Sequence, residues 1–564
     1  MKKTLNKVVI LGIDGLDPEI LSKGLEGNLL PNFLKLKKTG SYSKLATTVP
    51  PQSPVAWASF TTGKSPAQHG VYDFIVRNPV DYSLDLVWSA RLDKLYGVEP
   101  FWVRLAKAGV ETKVLFLPNT FPPLKLNGEM MSGMGAPDLL GTAGKYSFYT
   151  SGKIVKNSRG NQIKLTDQRL INTNIFGPKG ITIPLQIKKI SKNKILIKVQ
   201  NKETELLTGE FSDWVALKFK TGIFGAKDGI VKFYLMSTEP NLSLYMSPIN
   251  IDPRSSTDIS YPKDYSRLIA HKYGLFYTQG LPHDTFAYDE GVITDKVFLE
   301  NAESIFQERK KIFLGELNNF KYGVFFNYVG VTDTIAHMFW GNKNTILNYY
   351  KKVDKLIGET LDYLSNDDRL IILSDHGFGP FDYEFNLNSW LKSEGFLTLT
   401  NGDLIGQELL QNIDWSKTKA YAVGYNSIYL NLEGREGRGI VADKDKNILK
   451  DLIKNKLLKV INPQNGKKLI KNIYFKKDLG IQERDNKAPD IFVGYYKGVR
   501  ASWDTAVGKT PKQIFVKRKS KWKGDHLFDS TEVPGVLFSD KPHDLKNPKI
   551  TDTIILVNKF LKTE

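Results

Sequence analysis

The chain has 564 residues, and its 79 Lys and Arg against 60 Asp and Glu give a formal charge of +19. That length exceeds one simple core and predicts two or three domains. Hydrophobic residues at 41% and charged residues at 25% are ordinary for a folded soluble protein. No cysteine occurs, which excludes disulfides, thiolate zinc sites and a cysteine nucleophile and agrees with a cytoplasmic setting.

The positive charge favours anionic partners through the overall field. The lysines are scattered, with local clusters at Lys188–Lys198 and Lys517–Lys523, and Trp522 is the single aromatic residue that interrupts the second cluster. Without a longer aromatic-interleaved basic stripe, no nucleic-acid partner is expected. The start, MKKTLNKVVILGIDG, is basic like a signal peptide. Its apolar run, Val8–Ile13, is short, ends on Asp14 and lacks a small-residue cleavage site, so it reads as a first buried strand. No apolar stretch reaches membrane-spanning length.

Taken in order, Lys7–Ile13 is a strand, Leu30–Gly40 a helix and Ser43–Thr48 a strand. A helix at Gly97–Gly109 and a strand at Thr112–Leu117 follow. This alternation predicts an α/β fold with a doubly wound, mostly parallel sheet. From 149 to 262 the text changes to short alternating strands between turns, a β-rich insertion in a core that covers 1–148 and resumes at 263–564. In that second part lie helical segments at Tyr265–Tyr273, Asp295–Leu317 and Asn344–Asn366, and strands at Tyr322–Val329 and Arg369–Leu373. Cap-like elements are expected around 396–520, with a closing helix at Ile550–Leu561.

The stretch Thr47–Gly70 carries the first chemical signal. Pro50 and Pro51 precede Ser53-Pro54, and proline is favoured at the first helical position with serine as the cap before it. Ser53 is therefore expected at a helix mouth, beside amides suited to an anion, with Val55–Thr62 as the helix. A plain capping serine fits the same pattern; a nucleophile needs partners elsewhere. Candidates exist. Asp14 ends the first strand, where open α/β sheets bind ligands. Asp333 and His337, four apart, share one face of a helical turn. Asp375-His376-Gly377 ends a strand, and buried together these groups must pair or bind a cation. His526 follows Gly524-Asp525. A metal pair about 3.5–4 Å apart serves in-line displacement at phosphorus, and these side chains would supply it. Gly63-Lys64-Ser65 is not a P-loop, because Ala58 stands where the earlier glycine belongs. Trp57 and Phe60 are expected in the core, His69 as a structural histidine, and Ser132–Asp138 as a tight turn.

Asp14-Gly15, Pro50-Pro51-Gln52-Ser53-Pro54, Thr62-Gly63, His69-Gly70, Glu99-Pro100-Phe101-Trp102, Asp333 with His337, Asp375-His376-Gly377 and Gly524-Asp525-His526 occur in an order that resembles the alkaline phosphatase superfamily. Within it the chain is similar to the type I phosphodiesterase/nucleotide pyrophosphatase group, and to prokaryotic members described as phosphohydrolases or phosphomutases. The resemblance implies two divalent metal ions, zinc with manganese as the alternative. Asp333, His337 and His526 match the first site. Asp14, Asp375 and His376 match the second, with Ser53 bridging as nucleophile. It implies hydrolysis of a small phosphorylated substrate, a phosphodiester or nucleotide-type ester, through a phosphoseryl intermediate. The alternatives are a phosphomutase or phosphotransferase, and a non-catalytic anion-binding protein. Nucleotide pyrophosphatases usually carry an Asn soon after the His-Gly step. Here Val71-Tyr72-Asp73-Phe74 follows, so the motifs do not fix a nucleotide substrate. Asn119, or else Asn78, is the candidate for that substrate contact.

Overall fold

Six residues without a polar side chain, VVILGI, follow Lys7 in the central strand β1 (Lys7–Ile13) and are buried on both faces, as a near-continuous hydrophobic run predicts. The computed structural model describes residues 6–85, 97–142, 144–222, 225–255 and 258–561. In chain order its main sheet also holds β2 (Ser41–Leu45), β3 (Thr112–Leu115), β4 (Gly128–Met131), β5 (Ser260–Tyr261), β6 (Gly323–Val329), β7 (Arg369–Leu373) and β8 (Gly535–Ser539). The spatial order is β5-β4-β3-β6-β1-β7-β8-β2. The inner strands β4, β3, β6, β1 and β7 run parallel. The outer pairings of β5 on β4, β8 on β7 and β2 on β8 are antiparallel. The fold is therefore mixed α/β with a mostly parallel central sheet, as expected.

Two helix layers cover this sheet. Helix α1 (Ser53–Thr62) and the closing helix Thr553–Leu561 pack together, and the latter also touches β1. Helix Lys343–Leu361 packs on Pro18–Glu26, Pro31–Thr39, Asp295–Asn319 and α2 (Val331–Phe339). Every residue of α1 is buried. Its close seating depends on Gly12, where a Cβ would lie 2.6 Å from Phe326 Cζ and 2.7 Å from the Trp57 ring.

Several boundaries move. The expected strand Ser43–Thr48 is Ser41–Leu45, and the expected helix Gly97–Gly109 is Phe101–Lys107 behind a Pro100 cap. The β-rich region contains three sheets beyond the main one, formed between Ser147 and Ile251, two antiparallel and one mixed through the parallel pairing of Ser147–Thr150 with Asn161–Lys164, with a shared apolar core. Its first strand, Ser147–Thr150, was not among the expected ones, and Ser260–Tyr261 pairs with the main sheet. A further four-stranded sheet, Ala420–Ala422, Ser427–Leu430, Ile470–Phe475 and Ile491–Tyr495, has its own core against Trp390, Phe396 and Trp415. No described helix is long and apolar enough to cross a membrane.

Candidate active site

Three neighbouring parallel strands deliver three carboxylates at their C-terminal ends. Asp14 follows β1, Asp333 lies in the first turn of α2 just beyond β6, and Asp375 follows β7. Gly15 permits their approach. It has φ +66°, and a Cβ there would lie 2.9 Å from Asp333 Cα. His376 comes next to Asp375, and His337 stands one turn along α2 from Asp333. His526 follows the short strand Gly524–Asp525, which pairs with Gly379–Phe385. All seven expected side chains, with Ser53 among them, meet in one place.

The distances define two overlapping groups. His337 Nε2 lies 3.4 Å from Asp333 Oδ1, and His526 Nε2 lies 4.0 Å from the same oxygen. His376 Nε2 lies 3.4 Å from Asp14 Oδ1, 3.2 Å from Asp375 Oδ2 and 3.1 Å from the Ser53 hydroxyl. Donor atoms of Asp333, His337 and His526 all fall within 4.8 Å of one another, as do those of Asp14, Asp333 and His376. Asp333 thus reaches both groups.

The donor set fits divalent cations. Asp14 Oδ1, Asp333 Oδ1 and Asp375 Oδ2 are buried without a hydrogen-bond partner, a costly state unless a cation takes them. Each histidine is oriented by its other nitrogen. His337 Nδ1 donates to Gly524 O at 2.8 Å, His376 Nδ1 to Gly377 O at 3.1 Å, and His526 Nδ1 to Pro51 O at 2.7 Å. That fixes the tautomers and leaves each Nε2 lone pair facing inward, the usual support of a metal-binding imidazole. Without the cation, Asp14 and Asp375 resist ionisation. Burial and then the Asp333 charge push Asp14 up to about 7. Burial, then Asp14, raise Asp375 well above the usual carboxylate range. Burial lowers His376 and His526. Burial also pulls on His337, but Asp333 and the Gly524 carbonyl outweigh it and its pKa is raised.

Ser53 departs from expectation. Gln52, not Ser53, caps α1, and the serine is its first residue. The Gln52 side chain explains this, since its amide donates to Asp73 at 2.7 Å and accepts from Phe74 N at 3.1 Å, holding Gln52 extended. The first turn is also less open than expected. Val55 N and Ala56 N both donate to Gln52 O, and Pro54 has no N–H, so the Ser53 amide is what the turn can offer an anion. Asn119 lies at φ +66° and its amide donates to Pro54 O at 2.7 Å, which ties it to α1 beside the nucleophile candidate. Asn78 is exposed and closes a turn onto Val80 N. His69 is a structural histidine, paired with Ser59 Oγ at 2.9 Å and accepting from Val71 N. Asp138 ties its turn through Leu140 N, Thr142 and Gly144 N.

Several supporting residues were not foreseen. Trp57 Nε1 and the Tyr328 hydroxyl donate to Asp14 Oδ2 at 3.0 and 2.7 Å, so the tryptophan expected only in the core also holds a ligand. Thr332 Oγ1 donates to Asp14 O at 2.5 Å. Asp525 Oδ1 accepts from the His526 and Leu527 amides while Oδ2 takes Arg500 at 2.5 Å. Burial opposes this, but Arg500 holds the Asp525 pKa below the usual range.

The fold is that of an alkaline-phosphatase-like protein. Phosphonoacetate hydrolase from Sinorhizobium meliloti 1021, in complex with phosphonoacetate, superposes with a TM-score of 0.53 at 10% identity, covering 99% of this chain and 96% of that one. Human ectonucleotide pyrophosphatase/phosphodiesterase 5 matches at 11% identity over 99% of this chain and 95% of its own, with a TM-score of 0.43. No curated protein sequence matches the chain. The family model for type I phosphodiesterase/nucleotide pyrophosphatase matches residues 8–155 and 196–525. The chain belongs to that family.

Proposed function

We propose that this protein hydrolyses a phosphodiester or nucleotide-type phosphate ester through a phosphoseryl intermediate on Ser53. The observation that supports it is the Ser53 hydroxyl, at the first residue of a buried helix and 3.1 Å from His376 Nε2, beside three carboxylates with unpartnered inward oxygens. Asp333, His337 and His526 would hold one divalent cation. Asp14, Asp375 and His376, with the Ser53 oxygen, would hold a second. Carboxylate and imidazole donors suit Zn²⁺ and also take Mn²⁺. Such a pair lowers the pKa of a hydroxyl and offsets charge on phosphoryl oxygens.

Ser53 Oγ attacks phosphorus, and the bond from phosphorus to the leaving oxygen breaks. The phosphoryl group then sits on the first residue of α1, where the helix dipole favours negative charge. Water attacks the phosphoserine, frees Ser53 and releases the phosphorylated product. Trp57 and Tyr328 keep Asp14 oriented during both steps, and Asn119 holds the start of α1 in place through Pro54.

The test compares a chromogenic phosphodiester with a chromogenic monoester, each with zinc-loaded and manganese-loaded protein. Diester turnover and trapping of labelled phosphoserine are expected in the wild type and neither in Ser53→Ala. Full turnover by that variant would overturn the reading.

A further inference from the structure

Among the described residues Arg309 is a buried cation with no ion-pair partner. It lies in helix Asp295–Asn319, only 8% exposed. Among the described residues it makes no hydrogen bond or ion pair, and its Nε is sealed from solvent without an acceptor. Its helix neighbours are satisfied elsewhere. Glu308 pairs with Lys232 at 2.8 Å, and Lys310 with Glu359 at 2.6 Å. The guanidinium lies over the Phe116 ring, 4.4 Å from its centroid. Burial lowers its pKa only to about 10, so the charge persists at neutral pH.

The charge borders a hollow lined also by His283, Asn327, Tyr328, Gly330 and Val331. Two more polar atoms there, His283 Nε2 and Asn327 Oδ1, are buried without a partner. His283 Nδ1 lies 3.1 Å from the Thr334 hydroxyl. Burial, then Arg309, keep this imidazole neutral, its pKa pulled down to about 3. The Thr334 hydroxyl also donates to Gly330 O at 3.4 Å, and His283 Nε2 faces the hollow without a partner. Gly330 and Val331 open α2, a nine-residue helix whose first amides lack intrahelical acceptors and whose dipole favours an anion. The hollow has a volume of about 20 Å³, room for one small guest and far below the roughly 300–1,000 Å³ pockets that enclose larger organic ligands.

An unpaired guanidinium, an unpartnered imidazole nitrogen and a helix start converge on this one small space. We propose that the hollow is a binding site for a single small inorganic anion, chloride or phosphate, held by Arg309, His283 and the start of α2. None of its donors belongs to the seven residues of the candidate active site. The two places nonetheless share a wall. Tyr328 lines the hollow and donates to Asp14, and Thr334, bonded to His283, follows Asp333 directly. The anion completes the packing behind two of the carboxylates that converge on Ser53.

The test measures binding without reference to turnover. Thermal unfolding of the full chain is followed while chloride replaces a bulky organic anion at constant ionic strength, with a parallel series in phosphate. A rise in Tm of about 2 °C or more is expected as the site fills. Arg309→Met should lose the response. It should also match or exceed the wild type in the absence of small anions, because an uncompensated buried charge has gone. Arg309→Lys should keep a weaker response. Crystals soaked in bromide should show an anomalous peak between Arg309 and His283. A response to phosphate alone, lost in Arg309→Met, assigns the site to phosphate instead of halide. An equal response in wild type and Arg309→Met, or none in either, overturns the proposal, as does bromide that binds only elsewhere.

Discussion

The rings of His376 and His526 stack face to face, with centroids 3.6 Å apart and only 10° between their planes. One ring follows β7 and the other comes from a strand pair more than a hundred residues later. Each is pinned through Nδ1–H to a backbone carbonyl, Gly377 O and Pro51 O respectively. Two stacked cationic imidazoles would repel, and burial with that repulsion lowers His376 well below its ordinary value. The stack is therefore a pair of neutral rings with both Nε2 atoms turned toward the carboxylates and Ser53, as a cation centre requires.

Cation loading should release protons. In the empty site, burial and the Asp333 charge hold the Asp14 pKa near 7, so Asp14 keeps its proton at pH 6. The unfolded chain ionises this carboxyl near its ordinary value of 3.8. The folded empty protein thus binds more protons between those values, and its stability falls as pH rises through that window. A divalent ion reverses the balance by taking the carboxylate. Calorimetry of Zn²⁺ or Mn²⁺ binding at pH 6, in buffers of different ionisation enthalpy, should show net proton release, shrinking toward pH 8. A proton count of zero at both pH values would contradict it.

The donors behind Asp14 should matter for cation affinity more than for folding. Trp57→Phe keeps much of the ring packing against Phe60, Phe326 and Tyr328 but deletes the N–H that meets Asp14 Oδ2. Tyr328→Phe deletes the second donor. Each substitution should weaken metal binding by about 10-fold or more, the usual effect of losing a supporting hydrogen bond, while changing Tm by a few degrees at most. Competition with a chelator of known affinity measures the first quantity, and thermal unfolding the second.

Much of this arrangement is legible in the chain because it rests on local patterns. The apolar runs KVVILGI and GVFFNYV are strands at the expected places, and the acids just beyond them share one edge because parallel neighbours end together. What is not legible depends on distant contacts. Strand β8 is inserted antiparallel between β7 and β2 from near the far end of the chain, and no local spacing marks that choice. The start of α1 shifts to Ser53 because Asp73 and Phe74 hold the Gln52 side chain. Trp57 reads as apolar filler on its helix, and its polar edge acquires meaning only when β1 lays Asp14 beside it. Arg309 is one cation in a long amphipathic helix, and nothing in its neighbours' spacing shows that it lacks a partner.

Asp525 should act by placing His526 rather than by touching substrate. Its Oδ1 takes the His526 and Leu527 amides, while Arg500 and Trp522 anchor Oδ2. Asp525→Asn keeps the size and one carbonyl acceptor but leaves the Arg500 charge uncompensated in a buried place. Loss of about 2–4 kcal/mol of stability is expected, together with weaker metal binding. Arg500→Met with Asp525→Asn should restore part of the stability, since the unpaired charge is gone. A double-mutant cycle on urea unfolding measures that coupling, and strict additivity of the two changes would show that the pair does not act as a unit.

Acid sensitivity should come partly from His69, which lies away from the cation donors. It is fully buried between Ser59 Oγ and the Val71 amide, and burial lowers its pKa to about 3. The unfolded chain protonates the same ring near its ordinary value of 6.5. Between those values the unfolded state binds more protons, so stability is complete above the upper value and declines as pH falls toward the lower. The loss amounts to about 2 kcal/mol by pH 5, at 1.36 kcal/mol per pH unit. His69→Gln removes the titrating ring and keeps an amide able to meet Ser59. Its stability curve should be lower than the wild type at pH 7.5, and the gap should narrow steadily on the way to pH 5. Parallel curves across that range would remove His69 from the account of acid unfolding.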